Sequence, residues 1–188
     1  IVIGYYLLIL IFIINFYNIN NNYLFNSDFI INFSIILISI LILNAMNLLY
    51  LGDNGAYLLS FFIGILLIDL SKNVVNMSPY YIVNLLWYPA YENLFSIIRK
   101  LKKKKSPLKP DNSHLHQLIY LFIKKNIYLA PKVTNTLTGL IINLFNFFVI
   151  MIATKYYLNT ITQVVILFIS VTIYNLIFFI LKKNYNNG

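Results

Sequence analysis

Cysteine is absent from this 188-residue chain. Its absence excludes a disulfide framework, a thiolate metal site and a cysteine nucleophile, and it says nothing of redox compartment. Charge is nearly as scarce: 10% of residues are charged and five are acidic, so each carboxylate can be read individually. Histidine occurs twice, at His114 and His116. Zinc takes three or four ligands, drawn largely from histidine and cysteine, and this inventory argues against it.

What remains is apolar. The chain is 60% hydrophobic with a mean hydropathy of +0.77, well beyond the balance of soluble domains. Six runs approach the roughly 20 residues needed to cross a bilayer: about 1–17, 29–49, 55–71, 79–98, 132–157 and 161–181. They are apolar throughout rather than alternating with period two, which argues against a β-barrel. The expected fold is an all-α polytopic membrane bundle of about six transmembrane helices, forming a single domain over 1–188. The chain opens on Ile1 inside an apolar run, which reads as the C-terminal part of something longer.

The net charge of +9 would suit nucleic acid, but its distribution points to a membrane instead. Arg99, Lys100, Lys102, Lys103, Lys104, Lys105, Lys109, Lys124, Lys125 and Lys132 lie in one loop, and Lys182 and Lys183 in the tail. Only Lys72 and Lys155 fall in the alternate loops. The positive-inside rule then makes the 99–131 loop, both ends and the Gly52-Asp53-Asn54-Gly55 turn cytoplasmic. Segments 44–55 and 99–118 are thereby expected on one membrane face, where they could form one site.

Asp53 precedes an apolar helix. It reads as a helix N-cap, or as a magnesium ligand beside glycines that let a diphosphate approach a helix N-terminus; Asn54 could cap while Asp53 ligates. Asn44 and Asn47, three residues apart, share a helix face. They suit interhelical hydrogen bonding or a substrate role. Glu92 lies at a depth where a carboxylate calls for a partner or a function, and Pro89 can bend its helix. Asp69 and Lys72 read as an interfacial pair. His114 and His116, two apart, share a face only on extended backbone; beside lysines they suit phosphate binding or proton transfer. Two X-Pro steps, Ser106-Pro107 and Lys109-Pro110, stiffen the loop that leads to them. The run Lys102 to Lys105 reads more simply as a topology anchor or a contact for anionic lipid.

Two segments together resemble a known family. Leu51-Gly52-Asp53-Asn54-Gly55-Ala56-Tyr57 is similar to the GD-x-G-[SA] segment of the WecA/MraY-like glycosyltransferases, the polyprenyl-phosphate N-acetylhexosamine-1-phosphate transferases. The stretch from Pro89 through Arg99 to Ser106-Pro107-Leu108-Lys109-Pro110-Asp111 and His114-Leu115-His116 resembles the SP-x-x-PD-x-x-H-x-H-H loop of the WecA-like branch. The likeness covers about 44–120. It implies a transferase of the bacterial cytoplasmic membrane, in which a polyprenyl (undecaprenyl) phosphate attacks the β-phosphorus of a UDP-N-acetylhexosamine and releases UMP. The product would begin a lipid-linked glycan for O-antigen, cell wall or capsule.

By motif position, Asp53 would hold Mg²⁺, with Mn²⁺ as the alternative. His114 and His116 would be catalytic, engaging the diphosphate or positioning the acceptor. Asn44 or Asn47, Arg99, Ser106, Asp111 and Gln117 would line or support the substrate site. Gln117 stands where the family often has another histidine; it can donate a hydrogen bond but cannot carry a proton. The family's paired aspartates and Asn/Asp-Gly motifs belong to earlier helices and find no match here, so a chain of this extent is expected to lack part of the site. The rival reading is a non-catalytic membrane subunit, or an inactive fragment, whose basic loop binds anionic lipid or a partner protein. It predicts that lysine number matters and the histidines do not.

Overall fold

A computed structural model describes residues 1–17, 24–46, 48–102, 104, 106 and 113–186, without the side chains of 185 and 186. Asn47 and Asp111 lie outside the described residues. Seven helices occupy the described chain: α1 (Val2–Tyr17), α2 (Ser27–Ala45), α3 (Gly52–Asn73), α4 (Pro79–Lys102), α5 (Leu115–Asn126), α6 (Pro131–Lys155) and α7 (Thr160–Asn186). Local chemistry sets their ends. The Asn26 side chain accepts from the Phe29 N–H at 3.0 Å to cap α2, and Asn159 does the same for Thr162 ahead of α7. Proline opens α4 and α6, where its missing N–H costs no helical bond.

The six expected spans are all helices. α2, α3, α6 and α7 are long and apolar enough to cross a bilayer. α1, at 16 residues, is about 24 Å long against a hydrocarbon core of about 30 Å. α4 has the length, 24 residues, but carries Glu92, Arg99, Lys100 and Lys102 and falls short in hydropathy. The chain is thus a multi-pass membrane protein. Large apolar side chains stay exposed along α2 and α7, among them Ile35, Ile36, Phe168 and Phe179, as a surface solvated by lipid tails requires.

α1 sits at the centre, packed on α2, α3 and α6, while α4, α5 and α6 all contact α7 or one another. Its inner face is fully buried at Ile9, Leu10 and Ile13. Gly4 allows α1 to approach α6, since a methyl there would collide with the Asn143 side chain. The proline inside α4, Pro89, is answered from α1. Proline has no N–H to offer the Leu85 carbonyl four residues earlier, and the Tyr5 hydroxyl donates to that carbonyl at 2.9 Å.

Two bonds collect one set of linkers at one end of the bundle. The Ser78 N–H donates to the Tyr157 carbonyl at 3.0 Å, and the Leu24 N–H donates to Asp69 Oδ2 at 3.0 Å. The antiparallel run of helices then puts residues 48–51, 113–114 and 127–130 at the opposite end. Asp69 was expected to pair with Lys72. Instead it is buried and accepts from the Leu24 N–H and, at 2.9 Å, from Asn73. Lys72 is exposed.

The loop between α4 and α6 holds a helix that the apolar runs did not announce. α5 is amphipathic: Leu115, Leu118, Ile119 and Ile123 are buried against α6 and α7, while Lys124 and Lys125 face outward. It seats the histidine segment on the bundle.

Candidate functional site

The N-terminus of α5 brings the two histidines together. His114 is the N-cap, with extended backbone (φ −73°, ψ 152°), and His116 lies in the first turn. Their rings stack with centroids 5.5 Å apart and planes 15° from parallel. One extended residue before the helix is enough to bring side chains two apart to one face. Gln117, expected in the substrate site, also acts locally, its Oε1 accepting from the His114 N–H at 3.0 Å. This is the backward-reaching half of a capping box.

Beneath the histidines lies Glu92, a buried carboxylate on α4. Its Oε1 takes His114 Nδ1 at 2.9 Å and the Leu115 N–H at 3.0 Å. Its Oε2 accepts from the Tyr174 hydroxyl of α7 at 2.9 Å. One carboxylate thus joins α4, α5 and α7. Aromatic rings wall it in: Tyr174 meets Tyr91 edge-on at 5.0 Å and Phe95 at 5.5 Å. Burial holds the His116 imidazole below its ordinary pKa; the Glu92 charge pulls it up and the neighbouring His114 pushes it down. The balance favours its neutral form.

Arg99 lies two turns beyond Glu92 on α4. Its guanidinium stacks over Phe178 and Phe95, 5.1 and 5.5 Å from the ring centroids, so the aromatic faces fix its plane. Lys182 also stands over Phe178, 5.6 Å from the ring centroid. Ser106 is exposed in the linker. Asn44 closes the turn after α2, donating from Nδ2 to the Leu49 carbonyl at 2.9 Å, so it bonds within its own linker rather than between helices.

Asp53 stands apart from the histidines. The expected cap is not formed: α3 begins at Gly52, its N-cap is Leu51, and no side chain caps it. The physical reason is Gly52, whose φ of +64° turns the chain into the helix one residue early. Asp53 consequently lies in the first turn, exposed, its charge aligned with the positive end of the helix dipole. Among the described residues it has no hydrogen bond or ion pair, and α3 does not pack extensively on α5. What Asp53 and the histidine cluster share is the end of the bundle.

Mg²⁺ is commonly held by one or two carboxylates together with substrate phosphates and water. An exposed, unengaged Asp53 fits that use. No group of three acidic or imidazole side chains gathers among the described residues, as a cage built wholly from protein would need.

Against known proteins, the chain is 33% identical over 75 residues to a probable undecaprenyl-phosphate N-acetylglucosaminyl 1-phosphate transferase of Bacillus subtilis (strain 168). That comparison points to the same family as the motifs. The matched stretch is 39% of this chain and 21% of the relative, so the chain spans a minor part of the relative's length. No family model matches, and no solved structure matches.

Tyr174 was missed by the sequence, where nothing sets it apart among 16 tyrosines. The capping role of Gln117 did leave a signal, since a glutamine three residues after a cap is the spacing of the box.

Proposed function

We propose that this chain is part of a membrane transferase that passes N-acetylhexosamine 1-phosphate from a UDP-sugar to a polyprenyl phosphate. A phosphate oxygen of the lipid attacks the β-phosphorus of the nucleotide sugar. The bond between that phosphorus and the bridging oxygen breaks, UMP leaves, and a polyprenyl-diphospho-sugar remains. The observation that carries the reading is the stacked His114–His116 pair at the start of α5, inside a lysine-flanked motif that resembles the family loop.

Each part of that end of the bundle has work to do in such a reaction. Both substrates are anionic, and Lys100, Lys102 and Lys104 flank the loop with positive charge. His114 and His116 would meet phosphate oxygens; His116, whose neutral form burial favours, would accept a proton or a hydrogen bond there. Asp53 would hold Mg²⁺, which when bound neutralises diphosphate charge. The apolar outer faces of α2 and α7 keep the site at the edge of the bilayer, where a polyprenyl chain can reach it.

The test uses the full-length protein in detergent with undecaprenyl phosphate and radiolabelled UDP-N-acetylglucosamine or UDP-N-acetylgalactosamine. Label appearing in the lipid fraction, lost on chelation with EDTA, supports the reading. Vesicle binding that depends on lysine number but not on the histidines, without any label transfer, favours the non-catalytic subunit.

A further inference from the structure

Glu92 is costly where it lies. A carboxylate in the buried part of a membrane bundle is retained only when its charge is compensated, and no lysine or arginine pairs with it among the described residues. Its compensation comes from three hydrogen bonds, all within the protein, to His114 Nδ1, the Leu115 N–H and the Tyr174 hydroxyl. With both oxygens engaged in this way, Glu92 is poorly placed to take a metal or a substrate. Its effect is directed at one ring.

We infer that Glu92, braced by Tyr174, is a positioning residue for His114: it fixes the ring with the proton on Nδ1 and leaves Nε2 to meet a phosphate-bearing substrate. The identity of that substrate rests on the transferase reading above; the positioning itself does not. A carboxylate acceptor selects the tautomer with hydrogen on the nitrogen it faces. The other nitrogen must then be the functional one, and His114 Nε2 has no partner among the described residues. The side chain of His114 is 23% exposed and that of Glu92 10%, so the ring reaches from a buried anchor toward the loop. The Leu115 N–H tightens the arrangement, because the same Oε1 holds the first turn of α5 against α4. Tyr174 completes it from the far side, its ring packed edge-on against Tyr91 and Phe95. His114 is thereby held by a fixed shell.

The decisive readout is the tautomer. The full-length protein, labelled with ¹⁵N-histidine and held at pH 8 in detergent, gives two-bond ¹⁵N–¹H correlations for each ring. A His116→Asn variant assigns the His114 signals. The expected result is a protonated Nδ1 and a bare Nε2 at His114. Glu92→Gln should convert that pattern to the mixture of free imidazole, and Glu92→Asp should restore it in part. A wild-type His114 carrying its proton on Nε2 overturns the inference, as does a pattern that Glu92→Gln leaves unchanged. If Glu92→Gln does not fold, the wild-type tautomer still decides.

Activity separates this inference from the functional reading. With a working transferase, Glu92→Gln should lower kcat by about tenfold or more, as loss of an orienting partner commonly does, with a smaller change in KM. Tyr174→Phe should do the same more mildly. A correct tautomer in a protein that transfers no sugar phosphate would sink the transferase reading and leave the positioning intact. Full turnover by a Glu92→Gln variant whose His114 tautomer has changed would overturn the role of that positioning in transfer.

Discussion

Replacing Tyr5 by phenylalanine should expose how this bundle tolerates a proline inside α4. Pro89 cannot donate to the Leu85 carbonyl, and the Tyr5 hydroxyl does so at 2.9 Å. The substitution keeps the buried ring, 2% exposed, and removes only the donor. An orphaned buried carbonyl costs about 1–3 kcal/mol in soluble proteins. Interhelical hydrogen bonds in membrane bundles average about 0.6 kcal/mol and reach about 1.7. The Leu85 carbonyl has no donor within its helix to fall back on, which places the loss toward the top of the membrane range, about 1–2 kcal/mol. Pro89→Ala supplies the missing N–H, so in that background Tyr5→Phe should cost under about 0.5 kcal/mol. Unfolding in mixed micelles with increasing SDS, run on both single variants and the double, measures the coupling. Equal losses with and without Pro89 would refute the idea that Tyr5 stands in for the absent N–H.

Further outcomes follow from other contacts. Gly4→Leu should push α1 off α6 through the Asn143 side chain and cost about 1–3 kcal/mol; Asn143→Ala should recover part of it, as read by the same SDS titration. Burial lowers the His116 pKa from its ordinary 6.5, so the unfolded chain binds the proton more readily. Its contribution to stability is present in full above pH 6.5 and is lost as pH falls through the lower folded value. Melts between pH 8 and pH 5 should show that loss, flattened in His116→Gln. Asp53→Asn should leave the melting temperature unchanged, because the side chain makes no described bond, while cutting metal-dependent transfer about a hundredfold or more; a large fall in stability would make it structural after all.

The helical frame was legible because a membrane demands long apolar runs, and six of them stand out in the chain. α5 was not anticipated from run length, since its buried stripe of Leu115, Leu118, Ile119 and Ile123 is broken by polar residues; a helical period was nonetheless written there. Glu92 announced that it needed partners, through the cost of its burial alone. Which partners it has could not be read, because Tyr174 lies 82 residues away on a helix rich in similar rings. Asp53 misled for a local reason: an aspartate before an apolar run usually caps it, but with Gly52 at a φ of +64° the helix begins before that position. Asn44 proved to be a residue of its own turn, a pattern visible only once the α2–α3 linker had a shape. The two histidines were legible as a pair, and their stacking depended on the single extended residue at the cap of α5.

The most direct test of the account is the nucleotide released when the full-length protein turns over UDP-N-acetylglucosamine with undecaprenyl phosphate. Transfer of a sugar phosphate releases UMP, whereas transfer of the sugar alone releases UDP, and chromatography separates the two. The account predicts UMP, in step with lipid-linked product and lost in His116→Asn. Release of UDP, or UMP that continues unchanged in that variant, would contradict it.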